Sequence, residues 1–267
     1  MPRDRGRIAL IACESGKALM KRLHEAFGEL CRQRTSLFIS NDYHLIPTRE
    51  THFANQEVKT EILENIRGDD VYILQCMDDP CSERSVNDNF MALITAIDAA
   101  FQSDAESITA VIPQFPYARQ ERRKGREGIT ARLVARFLET AGASRVITLD
   151  VHAQAIAGFF FHAKFENLHA SRVIIEDFTR NFPTDNLIVV APDVGSAERA
   201  RFYSKNIAAH PVDLAILDKV RDYGRKSTVA SMRLVGDVKG KNVFMGDDMI
   251  ATGGTLIAAC RELKERG

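Results

Sequence analysis

The stretch of the chain best equipped for chemistry is GDDMIATGGT, Gly246–Thr255. The apolar run beginning at Asn242 delivers two adjacent acids, Asp247 and Asp248, at the carboxyl end of a buried strand, where ligands bind in open α/β sheets. Thr252, Gly253, Gly254 and Thr255 then open a helix. Glycines let the backbone approach an anion closely. Free N–H groups at a helix N-terminus, with the helix dipole, hold a phosphate dianion, and both threonine hydroxyls can donate as well. The carboxylates are acceptors and suit vicinal hydroxyls. One loop thus fits a sugar bearing a diol and a phosphate, such as ribose 5-phosphate. The plain alternative is a helix capped after a strand, its acids satisfying N–H groups. Paired acids followed by T-G-G-T are more specific than that alternative requires.

Further motifs precede this loop in a fixed order. They are F-A-N-Q-E (Phe53–Glu57), Y-A-R-Q (Tyr117–Gln120), D-V-H (Asp150–His152), P-D-V-G (Pro192–Gly195) and D-K-V-R (Asp218–Arg221). Together with the loop they resemble the ribose-phosphate pyrophosphokinase family, of the type I phosphoribosyltransferase-like proteins. The likeness runs from about Phe53 to the end of the chain. It implies transfer of pyrophosphate from ATP to ribose 5-phosphate, with Mg²⁺ as cofactor. Family members assemble as dimers and often hexamers, so the resemblance also implies a homo-oligomer. Other nucleotide signatures, G-x-x-x-x-G-K-[ST] and G-x-G-x-x-G, are absent from the sequence.

The resemblance assigns roles residue by residue. Phe53 would stack on adenine, with Asn55 and Glu57 reading its edge. Arg119 and Gln120 become ATP contacts, in a run of Arg and Lys suited to triphosphate charge. That basic loop could also close over the site and exclude water. His152 would bind Mg²⁺ with the nucleotide, Asp150 is a candidate second ligand, and Asp193 would be another Mg²⁺ contact beside the ribose. Lys219 and Arg221 alternate onto one side of a strand end. They take the catalytic position, where fixed cations stabilise the charge that develops in phosphoryl transfer. The loop residues Asp247, Asp248, Ala251, Thr252, Gly253, Gly254 and Thr255 would hold ribose 5-phosphate. Each motif has a plainer reading: a core Phe, a solvated basic loop, a turn histidine, an N-cap aspartate, two solvated cations.

Several positions depart from the family pattern. Asn55 often stands as Asp, Gln56 and Ser196 replace glycines, and Ala251 replaces an Asp. Gln56 would occupy a turn built for positive φ. A second reading is therefore a catalytically weak regulatory homologue that associates with the synthetase. A phosphoribosyltransferase that consumes the activated sugar fits poorly, because such enzymes need neither Y-A-R-Q nor K-x-R.

These residues must be positioned by regular elements. Short β-branched runs recur at Arg7–Ala12, Asp70–Gln75, Ser107–Pro113, Arg145–Asp150, Asn186–Pro192, Asp213–Asp218 and Asn242–Asp248. They read as buried strands of a mainly parallel sheet. Amphipathic helices, such as Asn87–Phe101 and Thr130–Thr140, lie between them. The alternation predicts an α/β fold of two tandem related domains, each a mainly parallel sheet flanked by helices. Arg145–Phe159 and Asn242–Leu256 echo one another, each running strand, acid, small residues, helix. The expected domains are 1–160, binding ATP, and 161–267, binding ribose 5-phosphate. The last helix, Gly253–Arg266, would normally feed another strand, so the second domain is expected to lack its final elements.

Composition bounds the partners. The 267 residues are 45% apolar, enough for a substantial core, and carry 36 basic and 36 acidic side chains. That balance argues against a protein that coats nucleic acid or an anionic membrane. Five scattered cysteines with no C-x-x-C pair disfavour a zinc site and a disulfide framework. The N-terminal apolar run is short for a secretory signal, and no stretch is long enough to span a bilayer. A cytoplasmic protein is expected.

Overall fold

Strands covered on both faces need near-continuous apolar runs, and those runs become the centres of two sheets. The computed structural model describes residues 6–33, 43–220, 231–250 and 252–267. It divides into two units, one ending at Leu168 and the other beginning at His169. The first contains β1 (Ile8–Ala12), α1 (Lys17–Gln33), β2 (Tyr43–Leu45), β3 (Thr48–His52), β4 (Val58–Ile62), β5 (Asp70–Leu74), α2 (Val86–Gln102), β6 (Ser107–Val111), α3 (Thr130–Ala141), β7 (Arg145–Leu149) and β8 (Lys164–Leu168). The second contains α4 (Ser171–Asn181), β9 (Leu187–Ala191), α5 (Ala197–Asn206), β10 (Asp213–Val220), β11 (Ser231–Val235), β12 (Asn242–Phe244) and α6 (Gly254–Glu265).

In the first unit six strands pair in the order β2-β1-β5-β6-β7-β8, and every pairing is parallel. The order reverses between β1 and β5, which makes their carboxyl ends a topological switch point. Ile11, Val71, Ile73, Ile108, Ala110 and Val146 meet Leu93, Ile97, Val134 and Leu138 of α2 and α3 in one buried cluster. Ala12 and Leu74 meet Met20 of α1 in another. α2 starts with a capping box: the Ser85 hydroxyl accepts from the Asp88 N–H, and the Asp88 carboxylate accepts from the Ser85 N–H. α3 ends at Gly142, whose φ of 117° no side chain adopts comfortably.

Two features extend the expectation. β3 and β4 form a separate antiparallel hairpin, outside the main sheet. β8 pairs with β7, so the first unit continues to Leu168, past the expected boundary at 160 and 161.

The second sheet runs β11-β10-β9-β12. β9 pairs in parallel with β10 and β12, while β11 joins β10 antiparallel. β9 is buried throughout. Its alternation sends Ile188 and Val190 to a cluster with Ala259 and Leu263 of α6. Leu187, Val189 and Ala191 face a cluster with Ala200 and Tyr203 of α5. The carboxyl ends of β9 and β12, neighbours on one side of this sheet, deliver Asp193 and the Asp247–Asp248 pair.

Candidate active site

The two units carry separate parts of the predicted site. Phe53, Asn55, Glu57, Arg119, Gln120, Asp150 and His152 belong to the first. Asp193, Lys219, Asp247, Asp248 and Thr252–Thr255 belong to the second. Lys219 lies on β10, in backbone register with Met232. Arg221 and Ala251 lie outside the described residues, as does the side chain of Lys219.

Phe53 stands at the tip of the β3–β4 hairpin. Its N–H donates to the Glu57 carbonyl (2.9 Å) and its carbonyl accepts from the Gln56 N–H (2.8 Å), which closes a tight turn. Gln56 has φ of 72°, the left-handed conformation that favours glycine. Phe53 is 49% exposed, so it is not a core residue, and Asn55 and Glu57 are exposed beside it. The Asn55 side-chain oxygen accepts from the Glu57 N–H at 3.3 Å, an Asx turn that stiffens the tip.

The Y-A-R-Q segment turns after β6. Tyr117 takes φ of 56°, and the Gln120 N–H returns to the Tyr117 carbonyl (2.8 Å). This turn leaves Arg119 and Gln120 exposed. The Tyr117 hydroxyl donates to Asn87 Oδ1 in the first turn of α2. Beyond the turn, Arg123, Arg132 and Arg136 line a groove of about 390 Å³ with the start of α3.

Asp150, with φ of 42°, ends β7. Its N–H donates to the Leu168 carbonyl (2.9 Å), and the Val151 N–H donates to Asn167 Oδ1 (2.9 Å). Val151 is buried and His152 is exposed. The chain after His152 is anchored by Glu139 of α3, whose Oε1 accepts from the N–H groups of Phe161, His162 and Ala163 at 2.8, 2.6 and 2.8 Å. Partial burial opposes ionisation of Glu139, but the three donors outweigh it and hold the carboxyl below its ordinary value. Positive φ at a side-chain-bearing residue costs free energy; here it recurs at Gln56, Tyr117 and Asp150, one in each of the first unit's three motifs.

In the second unit Asp193 is an N-cap: Oδ1 accepts from the Ser196 N–H at 2.9 Å, and the Ser196 hydroxyl accepts from the Asp193 N–H at 3.2 Å. The plain reading of this aspartate is therefore realised, and the cap also fixes its carboxylate at the strand end. Arg199 Nη1 lies 3.2 Å from Asp248 Oδ1 and 3.6 Å from Asp247 Oδ1. Burial pushes the Asp247 carboxyl above its ordinary value, and Asp248 and then Asp193 add to the push. Gly253 opens α6 with φ of 71°, so the backbone at the T-G-G-T step needs glycine.

Two elements of the site escaped sequence reasoning. Arg199 was one helical turn past a recognised motif, and its ion pairs cross between elements distant in sequence. The other is the S-V-N-D-N start of α2. Asn89, buried there, donates to the Met77 carbonyl (3.0 Å) and accepts from the Ser15 hydroxyl (2.9 Å). The S-x-x-D spacing was a legible helix start, but the contacts it makes were not.

The comparisons with known proteins agree with this architecture. Residues 8–142 match the N-terminal domain of ribose phosphate pyrophosphokinase, and residues 163–267 match the phosphoribosyl transferase domain. A ribose-phosphate pyrophosphokinase of Ralstonia nicotianae is 47% identical over 218 residues, 80% of this chain and 65% of the relative. One of Brucella melitensis is 47% identical over 216 residues, 80% of this chain and 66% of the relative. The chain thus spans about two thirds of the length of these curated relatives. The crystal structure of phosphoribosylpyrophosphate synthetase from Mycobacterium smegmatis superposes with a TM-score of 0.83 at 32% identity, covering 98% of this chain and 78% of that one. With both units matched in order and the same fold in a solved relative, the chain belongs to the ribose-phosphate pyrophosphokinase family.

Proposed function

We propose that this chain transfers the pyrophosphoryl group of ATP to the anomeric hydroxyl of ribose 5-phosphate, giving 5-phosphoribosyl 1-diphosphate and AMP. The observation that carries the reading is the second unit's strand-end loop: acids held by Arg199 beside a glycine-opened helix N-terminus. Asp247 and Asp248 accept from the ribose hydroxyls, and Thr252–Thr255 take the 5-phosphate. In the first unit the exposed ring of Phe53 stacks on adenine, and Arg119 and Gln120 meet the polyphosphate. Lys219 and Arg221 act on the charge developing on the transferred group. Catalysis is positioning and electrostatics, since phosphoryl transfer asks for little covalent chemistry from the protein.

Mg²⁺ is the proposed cofactor. The donors available in each unit, an oxygen of Asp150 with the ring of His152 in the first and the oxygens of Asp193 in the second, fit ions that take most of their ligands from water and phosphate. When bound, the ion neutralises phosphate charge. Among the described residues there is no group of three or more His, Cys, Asp or Glu that could hold a metal ion. A homo-oligomer, dimer or hexamer, is proposed from the family resemblance, and a place in the cytoplasm from the scattered cysteines. No helix among the described residues is long and apolar enough to cross a membrane.

The test is incubation of the pure protein with Mg²⁺, ATP and ribose 5-phosphate. AMP is expected to form only when the sugar phosphate is present. Formation of ADP, or no turnover in any buffer, would contradict the proposal.

A further inference from the structure

β3 carries Thr48, Glu50 and His52 on one face, by strand alternation. All three are tied down. The Thr48 hydroxyl donates to the Ala12 carbonyl at 2.8 Å. Glu50 Oε2 accepts from the Glu14 N–H at 3.0 Å, and Glu50 Oε1 lies 2.7 Å from His52 Nε2. A carboxylate only accepts, so the imidazole donates through Nε2. The Glu50 side chain is 3% exposed and that of His52 19%. Enclosing a carboxylate is costly unless its oxygens are met; here both are, one by the chain after β1 and one by the hairpin itself.

The charged and titratable groups around the pair come from each packed element. Glu14 and Lys17, paired with one another at 2.5 Å, and the buried Cys13 stand on the β1–α1 side. The Cys13 thiol is pushed up by burial first and by Glu50 next. Asp88 stands on the α2 side; its carboxyl is held down chiefly by Ser85, with His52 contributing. Glu50 and His52 therefore link the hairpin to the switch point of the first sheet, and His52 also faces the helix start that holds Tyr117. The next residue after His52 is Phe53, where the chain leaves β3 for the tip.

We infer that Glu50 and His52 form a positioning pair: their hydrogen bond fixes the hairpin tip so that Phe53, Asn55 and Glu57 are presented together to the purine base of a nucleotide. The inference rests on the reading above that this tip takes the adenine. A pair that orients the base contacts acts on affinity for the base and not on affinity for phosphates.

The full chain is titrated calorimetrically with Mg·ATP and, separately, with inorganic tripolyphosphate. His52→Leu is expected to weaken ATP about tenfold, the worth of one charge-assisted hydrogen bond, and to leave tripolyphosphate unchanged. His52→Gln, whose Nε2 reaches as far as the imidazole Nε2, stays within about twofold of the original, since it keeps a donor to the carboxylate. His52→Asn, equally polar but one bond shorter, loses affinity as leucine does, which keeps the test open should the leucine variant fail to fold. Equal weakening of both ligands, no weakening by Leu or Asn, or no recovery by Gln overturns the pair. Phe53→Ala separates the two levels. If it leaves ATP affinity unchanged, or if the unaltered chain does not bind ATP, the reading of the tip fails and the pair with it. If Phe53→Ala selectively weakens ATP and His52→Leu does not, only the pair fails.

Discussion

Asp193, Asp247 and Asp248 stand near one another in the second unit, and Arg199 faces the latter two from α5. Clustered carboxylates repel, and partial enclosure raises the cost of ionising them. Asp247 is raised in the fold, so its contribution to stability is present below its unfolded value and is lost as pH rises through its folded value. Such an arrangement trades stability for acceptors that a diol can use. Arg199 offsets part of that cost, and removing it leaves the acids without this partner. Arg199→Ala is expected to destabilise the fold by about 1–3 kcal/mol and to weaken ribose 5-phosphate binding, with Arg199→Lys intermediate because lysine keeps the charge but not the fork. Thermal melts and calorimetric titration check this. An unchanged affinity in Arg199→Ala would show that the acids need no cation to hold their places.

At the scale of elements, the strain in the motifs is testable by itself. Gln56 holds φ of 72° at the hairpin tip, where the family pattern has glycine. Gln56→Gly should raise stability by roughly 0.5–1 kcal/mol: the left-handed cost of a side chain, less the entropy glycine adds to the unfolded chain. A melt showing a loss would mean that the Gln56 side chain makes contacts that outweigh the strain. Glu139, accepting from three N–H groups, anchors the chain after His152. Because its carboxyl is lowered in the fold, its stabilisation is present above the ordinary Glu value, about 4.5, and fades as pH falls below that. Glu139→Gln should therefore reduce stability near neutral pH and flatten its fall in acid. Urea denaturation across pH checks it, and parallel curves for the two proteins would contradict it. The central strands and the helices α2, α3 and α6 were legible because their apolar runs and periodicities are strong. The hairpin was not, because T-R-E-T-H and V-K-T-E-I are polar strands whose turn lacks a glycine. Nor was β8, where K-F-E-N-L carries no continuous apolar run.

For the whole molecule, the strand order reverses in both sheets; in the second the candidate acids follow β9 and β12, the two strands at the reversal, whereas in the first Y-A-R-Q follows β6 and D-V-H follows β7, one and two strands beyond it. The identities of the strand-end residues were readable from the motifs, since the chemistry of a residue is printed in its type. Their partners were not, because Arg199 with Asp248, His52 with Glu50 and Tyr117 with Asn87 are fixed by packing between elements far apart or by burial that no single motif encodes. The proposed reaction passes a pyrophosphoryl group from a nucleotide to a sugar phosphate. The direct measurement uses ATP labelled at the β-phosphorus, with Mg²⁺ and ribose 5-phosphate, and follows the label through separated products. The label is expected to leave with the sugar, and the AMP formed to carry none. Label retained in the nucleotide product, as transfer of the γ-phosphoryl group alone would leave it, would contradict pyrophosphoryl transfer.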